Sequence, residues 1–190
     1  YLHKLIQEQK NIFQFDISSI EFDLAQGLYF DSTIPQGFGA GSSGALVAAI
    51  FDRYGQEEVS LLDIRKLKQI FSQMESHFHG SSSGVDPLIS YLNNPILIKN
   101  KNELGPVYLP KLNKGPGAIF LLNTRRSRKT EPLVNLFLEK CSNQHFADLC
   151  DHKLIPITNS CINNFLEGNL IELEKNFKAL SHFQFEHFLP

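Results

Sequence analysis

Apolar residues recur at three- and four-residue steps between residues 61 and 79, and this spacing predicts an amphipathic helix. Gly80 follows directly and suits the left-handed position that ends many helices. A second helix is predicted over residues 45–54, which are good helix formers and are followed by Gly55. From about residue 133 onward the pattern is mostly helical, so a helical tail is expected.

Shorter runs rich in aromatic and β-branched residues are bounded by Gly, Pro and Asn, which predicts strands. These strands are expected at residues 28–34, 95–99, 107–109 and 118–122. Residues 88–92 are expected to form a helix or a turn. Thr130 is followed by an acid and a proline, a strong helix start, and Gly168 is expected to interrupt the tail. Strands early and helices later favour an α+β fold.

Composition narrows the classes of function. The 190 residues carry 18 Lys and Arg against 20 Asp and Glu, a net charge of −2 that gives no reason to expect a nucleic-acid surface. No apolar run approaches the roughly 20 residues that cross a bilayer, and no secretory signal is visible, so no membrane association is expected. The three cysteines have no C-x-x-C spacing and are expected to be free thiols in a reducing cytoplasm, which predicts a cytoplasmic protein.

A first cluster of Gly and Ser occupies residues 37–44 and follows Pro35. Glycines alternate at positions 37, 39 and 41, where each can take positive φ and let a ligand approach the backbone. Ser42 and Ser43 follow at the expected start of a helix, whose free N–H groups and dipole attract anions. The cluster therefore suits a phosphate cradle, although a surface turn with a capping serine would read the same way. It is neither a Walker A loop nor a Rossmann fingerprint, because both the P-loop lysine and the Rossmann spacing are missing.

A second cluster of Gly and Ser, residues 80–84, lies between two acids. Glu75 is on the last turns of the predicted helix, beside the apolar stripe and at the margin between core and solvent. Asp86 follows the cluster and precedes Pro87. One carboxylate near a triphosphate can hold Mg²⁺, and another can accept the proton of an attacking hydroxyl. Taken singly, Glu75 reads as a solvated helix residue and Asp86 as a turn residue.

Three segments together resemble a known family. The pattern P-x-G-x-G-x-G-S-S-x-A at residues 35–45 is similar to the phosphate loop of GHMP kinases. The string E-x-x-x-H-G-x-x-S-G-V-D at residues 75–86 looks like that of the mevalonate kinases, with the same interval of 11 between its acids. Residues 123–130 are similar to the N-T-x-x-x-R-x-T stretch of the same kinases.

The resemblance implies a GHMP-kinase-like two-domain fold, with residues 1–105 as a partial N-terminal domain and residues 106–190 as a partial α/β C-terminal domain with a helical tail. It also implies ATP-dependent phosphoryl transfer to the hydroxyl of a small metabolite, with mevalonate as the expected acceptor. Asp86 would be the catalytic base. Ser43 and Glu75 would ligate Mg²⁺. ATP would be held by Pro35, Gly37, Gly39, Gly41, Ser42 and Ser43, and the acceptor would lie near His79, Arg128 and Thr130.

Several departures from the family pattern qualify these expectations. Neither the N-terminal lysine motif nor the late Gly-rich loop is found, so an internal fragment with weak or no activity is expected. Gly44 stands where many members carry Ala, and Pro87 where mevalonate kinases usually show Asn. Phosphomevalonate kinase, diphosphomevalonate decarboxylase and sugar kinase remain alternatives, as does a non-catalytic ligand-binding relative. The oligomeric state is open, with a homodimer as one arrangement.

Overall fold

The computed structural model describes residues 1–8, 10, 12–56, 63–100, 103–110 and 131–188. These residues form two compact units, one running up to Val107 and the other starting at Tyr108. Each unit is described by itself below. The assignment of residues 1–105 and 106–190 to the two domains of a kinase stays a prediction.

The first unit contains five helices and a small sheet among its described residues. The helices are α1 (Leu2–Gln7), α2 (Ile17–Ala25), α3 (Ser42–Tyr54), α4 (Ile64–His79) and α5 (Val85–Leu92). The strands β1 (Ile96–Ile98) and β2 (Leu104–Pro106) pair antiparallel, with Leu97 opposite Gly105.

The core of this unit lies between α3, α4 and α5. The apolar stripe of α4 faces inward, and Ile70 and Phe71 are fully buried. The ring of Phe71 meets Phe51 of α3 at a centroid distance of 5.1 Å and Tyr91 of α5 at 5.5 Å. Aromatic pairs in such tilted and edge-on arrangements stabilise beyond the area they bury. These aromatic contacts thus hold together α3, α4 and α5, the three helices that adjoin the two Gly/Ser clusters.

A polar contact fixes the far end of α3. Asp23 of α2 accepts hydrogen bonds from the Tyr54 hydroxyl at 2.7 Å and from Arg53 Nη2 at 2.7 Å. The Tyr54 hydrogen bond, followed by those from Arg53, holds the pKa of Asp23 below its ordinary value. This contact ties α2 to the C-terminal turn of α3, one helix length away from the first Gly/Ser cluster.

The predicted helices are confirmed with small changes at their ends. The helix expected at 45–54 begins three residues earlier, and α4 starts at Ile64, with positions 61 and 62 outside the described residues. Gly80 has φ 70° as expected of a helix-ending glycine, although its ψ of −41° is not left-handed helical. Residues 88–92, expected as a helix or turn, are the end of α5.

Two of the strand predictions are wrong. Residues 28–34 are irregular, and Tyr29 is 81% exposed. A run rich in aromatic and β-branched residues does not suffice for a strand, because the backbone also needs a partner, and none of the described strands pairs with this segment. The strand expected at 107–109 lies three residues earlier, as β2, where it can pair with the confirmed β1. Residues 118–122 lie outside the described part of the chain.

Residues 131–188 of the second unit are mostly helical, which confirms the predicted tail. Its helices are α6 (Glu131–Cys141), α7 (Gln144–Leu149), α8 (Ile155–Glu167) and α9 (Leu170–His187), with a π-helical turn, Cys150–Leu154, between α7 and α8. Pro156 follows that turn, and its missing N–H explains why the ordinary hydrogen-bond ladder is interrupted there. Gly168 separates α8 from α9 in the left-handed conformation, φ 74° and ψ 18°, as expected.

The helices and the two-stranded sheet are compatible with the predicted α+β class. Within the described ranges, no helix combines the length and the apolar character that crossing a membrane requires.

Candidate active site

The first Gly/Ser cluster forms an exposed loop that leads into α3. Gly37, Gly39 and Gly41 have φ of 80°, 70° and 79°, so the predicted use of glycine for positive φ is confirmed. Gly41 precedes the first helical residue, and no side chain caps the helix there. The N–H groups of the first turn of α3 can therefore meet an anion that enters from solvent. Pro35 begins this loop and is also exposed.

Glu75 lies inside the fold rather than at its margin. The residue is only 4% exposed, against the expectation of a position between core and solvent. The Ser43 hydroxyl, in the first turn of α3, donates a hydrogen bond of 3.1 Å to Glu75 Oε1. A buried carboxylate needs such donors to replace its lost hydration. The two residues predicted to share a magnesium ion are thus in direct contact, although they are 32 positions apart in the sequence.

A third member of this group, Ser82, was not predicted from the sequence. Its hydroxyl donates a short hydrogen bond to the other carboxylate oxygen, Oε2 of Glu75. The Ser82 hydroxyl in turn accepts a hydrogen bond of 3.0 Å from the Gly84 N–H, and its carbonyl accepts one from the Ser72 hydroxyl of α4. Ser82 is the middle one of three consecutive serines, and the sequence does not distinguish it from the other two.

Gly84 sets the position of the second Gly/Ser cluster. Its φ is 72°, and an added Cβ would lie 2.2 Å from Lys68 O and 2.6 Å from Ser72 N. The cluster therefore lies directly on the backbone of α4, at a distance that only glycine allows. Because Gly84 also precedes α5, this contact fixes where the helix that carries Asp86 begins.

The first turns of α3 and α5 touch at Gly44. A Cβ on Gly44 would lie 2.8 Å from three atoms: the carbonyl carbon and Cβ of Asp86, and the nitrogen of Pro87. This close approach accounts for glycine where many GHMP members carry alanine. It brings the backbone of Asp86 against the residue that follows Ser43. Asp86 itself is exposed, in the first turn of α5, where its carboxylate can meet a solute.

The structure does not describe the side chains that were expected to bind the acceptor substrate. His79 is the last residue of α4, and its side chain lies outside the described part of the chain, as do Arg128 and Thr130 entirely. Among the described residues, no three His, Cys, Asp or Glu side chains cluster as a metal site of their own. The oxygens of Ser43 and Glu75 nevertheless suit Mg²⁺, which prefers hard oxygen ligands and fills its other positions with water and phosphate oxygens.

Residues 3–94 match the family model of the GHMP kinases N terminal domain. This span includes both Gly/Ser clusters, Glu75 and Asp86. Neither a curated protein nor a solved structure matches the chain. The match supports membership of the GHMP superfamily and, at that level, an enzyme that transfers phosphoryl groups.

Proposed function

We propose that this protein is an ATP-dependent kinase that phosphorylates the hydroxyl of a small metabolite. The observation that carries the proposal is the contact between Ser43 and Glu75 beside the close approach of Gly44 to Asp86, inside the span that matches the family. Phosphoryl transfer needs positioning and charge neutralisation more than covalent chemistry, and this group of residues can provide both.

The glycine loop and the start of α3 would hold the phosphates of ATP. Gly37, Gly39 and Gly41 leave the backbone open to close approach, and the helix dipole favours the negative charge. Ser42 and Ser43 add hydroxyls at the same helix start. Glu75 and Ser43 would hold Mg²⁺, which supplies charge neutralisation for the phosphate oxygens when it is bound.

Asp86 would accept the proton in the transfer step. The acceptor's hydroxyl oxygen forms a bond to the γ-phosphorus while the bond from that phosphorus to the bridging oxygen of ADP breaks. The hydroxyl proton passes to the Asp86 carboxylate, which its exposure leaves open to the acceptor. The products are the phosphate ester and ADP.

For the acceptor we propose mevalonate. The support is the resemblance of residues 75–86 and 123–130 to mevalonate kinase segments, with His79, Arg128 and Thr130 assigned to the acceptor side. Pro87 departs from that pattern and is buried where α5 meets α3, so it serves the packing of the two helices.

An ADP-release assay of the complete protein against a panel of acceptors tests the proposal. The panel holds mevalonate, phosphomevalonate, diphosphomevalonate and common sugars, with CO₂ release monitored in parallel. We expect ADP release with mevalonate and a loss of about 100-fold in Glu75→Gln. The exposed Glu139→Gln serves as the matched control and should keep full turnover. Nucleotide binding without turnover on any acceptor would contradict the proposal and indicate a non-catalytic relative.

A further inference from the structure

The buried carboxylate of Glu75 is held from two sides by two different segments. Ser43, at the start of α3, donates to Oε1, and Ser82, in the second Gly/Ser cluster, donates to Oε2. Within the described ranges no buried side-chain nitrogen or oxygen lacks a partner, so both donors belong to a fully satisfied arrangement.

The two serines differ in what they can do when a metal ion arrives. Ser43 belongs to the helix start that the proposed function assigns to Mg²⁺ and phosphate, so its hydrogen bond to Oε1 can be exchanged for a bond from the hydroxyl oxygen to the ion. Ser82 is fixed independently of that helix, by the Gly84 N–H at 3.0 Å and by the Ser72 hydroxyl. The hydrogen bond from Ser82 to Oε2 can therefore persist while the one from Ser43 to Oε1 is exchanged.

We propose that Ser82 is a positioning residue that occupies Oε2 of Glu75 and thereby presents Oε1 alone to the metal ion. The proposal rests on the proposed function, because it assumes that Glu75 is a metal ligand. It assigns the second Gly/Ser cluster a role besides the placement of Asp86.

One-oxygen ligation has a consequence for metal choice. Mg²⁺ demands a near-octahedral shell at short distances, whereas Ca²⁺ takes more oxygens and readily accepts both oxygens of one carboxylate. With Oε2 held by Ser82, the site favours the smaller ion. Without that hydrogen bond the carboxylate can turn and offer both oxygens, so discrimination against Ca²⁺ should weaken.

The test uses Ser82→Ala in the complete protein, with Ser82→Thr as the conservative variant and the exposed neighbour Ser81→Ala as the control. Binding of Mn²⁺ in the presence of ADP is followed by electron paramagnetic resonance, and Mg²⁺ and Ca²⁺ are measured by competition. We expect the apparent Mg²⁺ dissociation constant of Ser82→Ala to rise about 10-fold, as for other residues that orient a metal ligand, with a smaller change for Ca²⁺. Ser82→Thr and Ser81→Ala should bind as the wild type does.

Thermal unfolding of the metal-free variants checks that the fold is kept. If Ser82→Ala does not fold, Ser82→Cys replaces it, because a thiol is a weaker donor of similar shape and should raise the same constant. Unchanged Mg²⁺ and Ca²⁺ constants in a folded variant, or equal rises for both ions, would overturn the role of Ser82. The proposed function fails separately, if the wild type binds Mn²⁺ with ADP but phosphorylates no acceptor. A wild type that shows no ADP-dependent Mn²⁺ binding would overturn both.

Discussion

Gly44→Ala perturbs the contact between the first turns of α3 and α5. The added Cβ would meet the backbone of Asp86 and Pro87 at 2.8 Å, and ordinary contact begins at 3.4 Å, so the helices must part by about 0.6 Å. Overpacking of this kind costs about 1–3 kcal/mol, whereas alanine gains about 1 kcal/mol over glycine in a helix. We expect a net loss of stability of up to about 2 kcal/mol.

The effect on catalysis should exceed the effect on stability. A misplacement of about 1 Å can cost about 100-fold in rate, so a shift of the size expected at Asp86 should lower kcat about 10-fold. Urea unfolding gives the stability, and kcat at saturating Mg²⁺, ATP and acceptor gives the rate. Ala49→Gly, at an exposed site on the same helix, is the matched control and should lose stability but not kcat. A more stable Gly44→Ala with an unchanged kcat would refute the steric argument.

Two further predictions concern groups whose pKa values are shifted. The hydrogen bond from Tyr54, followed by those from Arg53, lowers the pKa of Asp23 in the folded protein. The contact therefore stabilises the fold fully at pH values above the unfolded pKa of about 3.9. This stabilisation is lost as the pH falls through the lowered pKa of the folded state. In urea unfolding, Asp23→Asn should therefore have a lower free energy of unfolding than the wild type at about pH 6, and the difference should shrink as the pH falls below about 4. A difference that does not change with pH would contradict this prediction. Burial, followed by the neighbouring Cys141, raises the pKa of the Cys150 thiol, so at about pH 8 iodoacetamide should label the half-buried Cys141 before Cys150. Peptide mass spectrometry of the time course checks the order, with urea-unfolded protein as the control, and prior labelling of Cys150 would refute it.

Local signals allowed the helices to be predicted. The apolar spacing of α4 identifies its inward face, and Gly80 and Gly168 take positive φ where a helix ends. Strands were harder to predict because pairing is not local. Residues 28–34 have strand-like composition but no described partner, and β2 lies where its register with β1 permits.

The candidate site could be predicted as residue types but not as contacts. Ser43 and Glu75, which the resemblance assigns to one magnesium ion, are in contact, but the burial of Glu75 depends on how α3 packs on α4. The sequence could not distinguish Ser82 from the serines beside it, because only the approach of Gly84 to the α4 backbone decides which hydroxyl reaches the carboxylate. Gly44 looked like a simple departure from the family, and its reason lies in a helix contact across 42 positions of the chain.

The proposed function depends on Asp86 accepting a proton during phosphoryl transfer at the site that Ser43 and Glu75 form. Its most direct test is the transfer of a labelled γ-phosphoryl group from ATP to mevalonate by the complete protein and by Asp86→Asn, with nucleotide binding measured for both. We predict labelled phosphate ester from the wild type, and a rate at least about 100-fold lower from a variant that still binds ATP. Transfer by Asp86→Asn at the wild-type rate would show that Asp86 is not the proton acceptor.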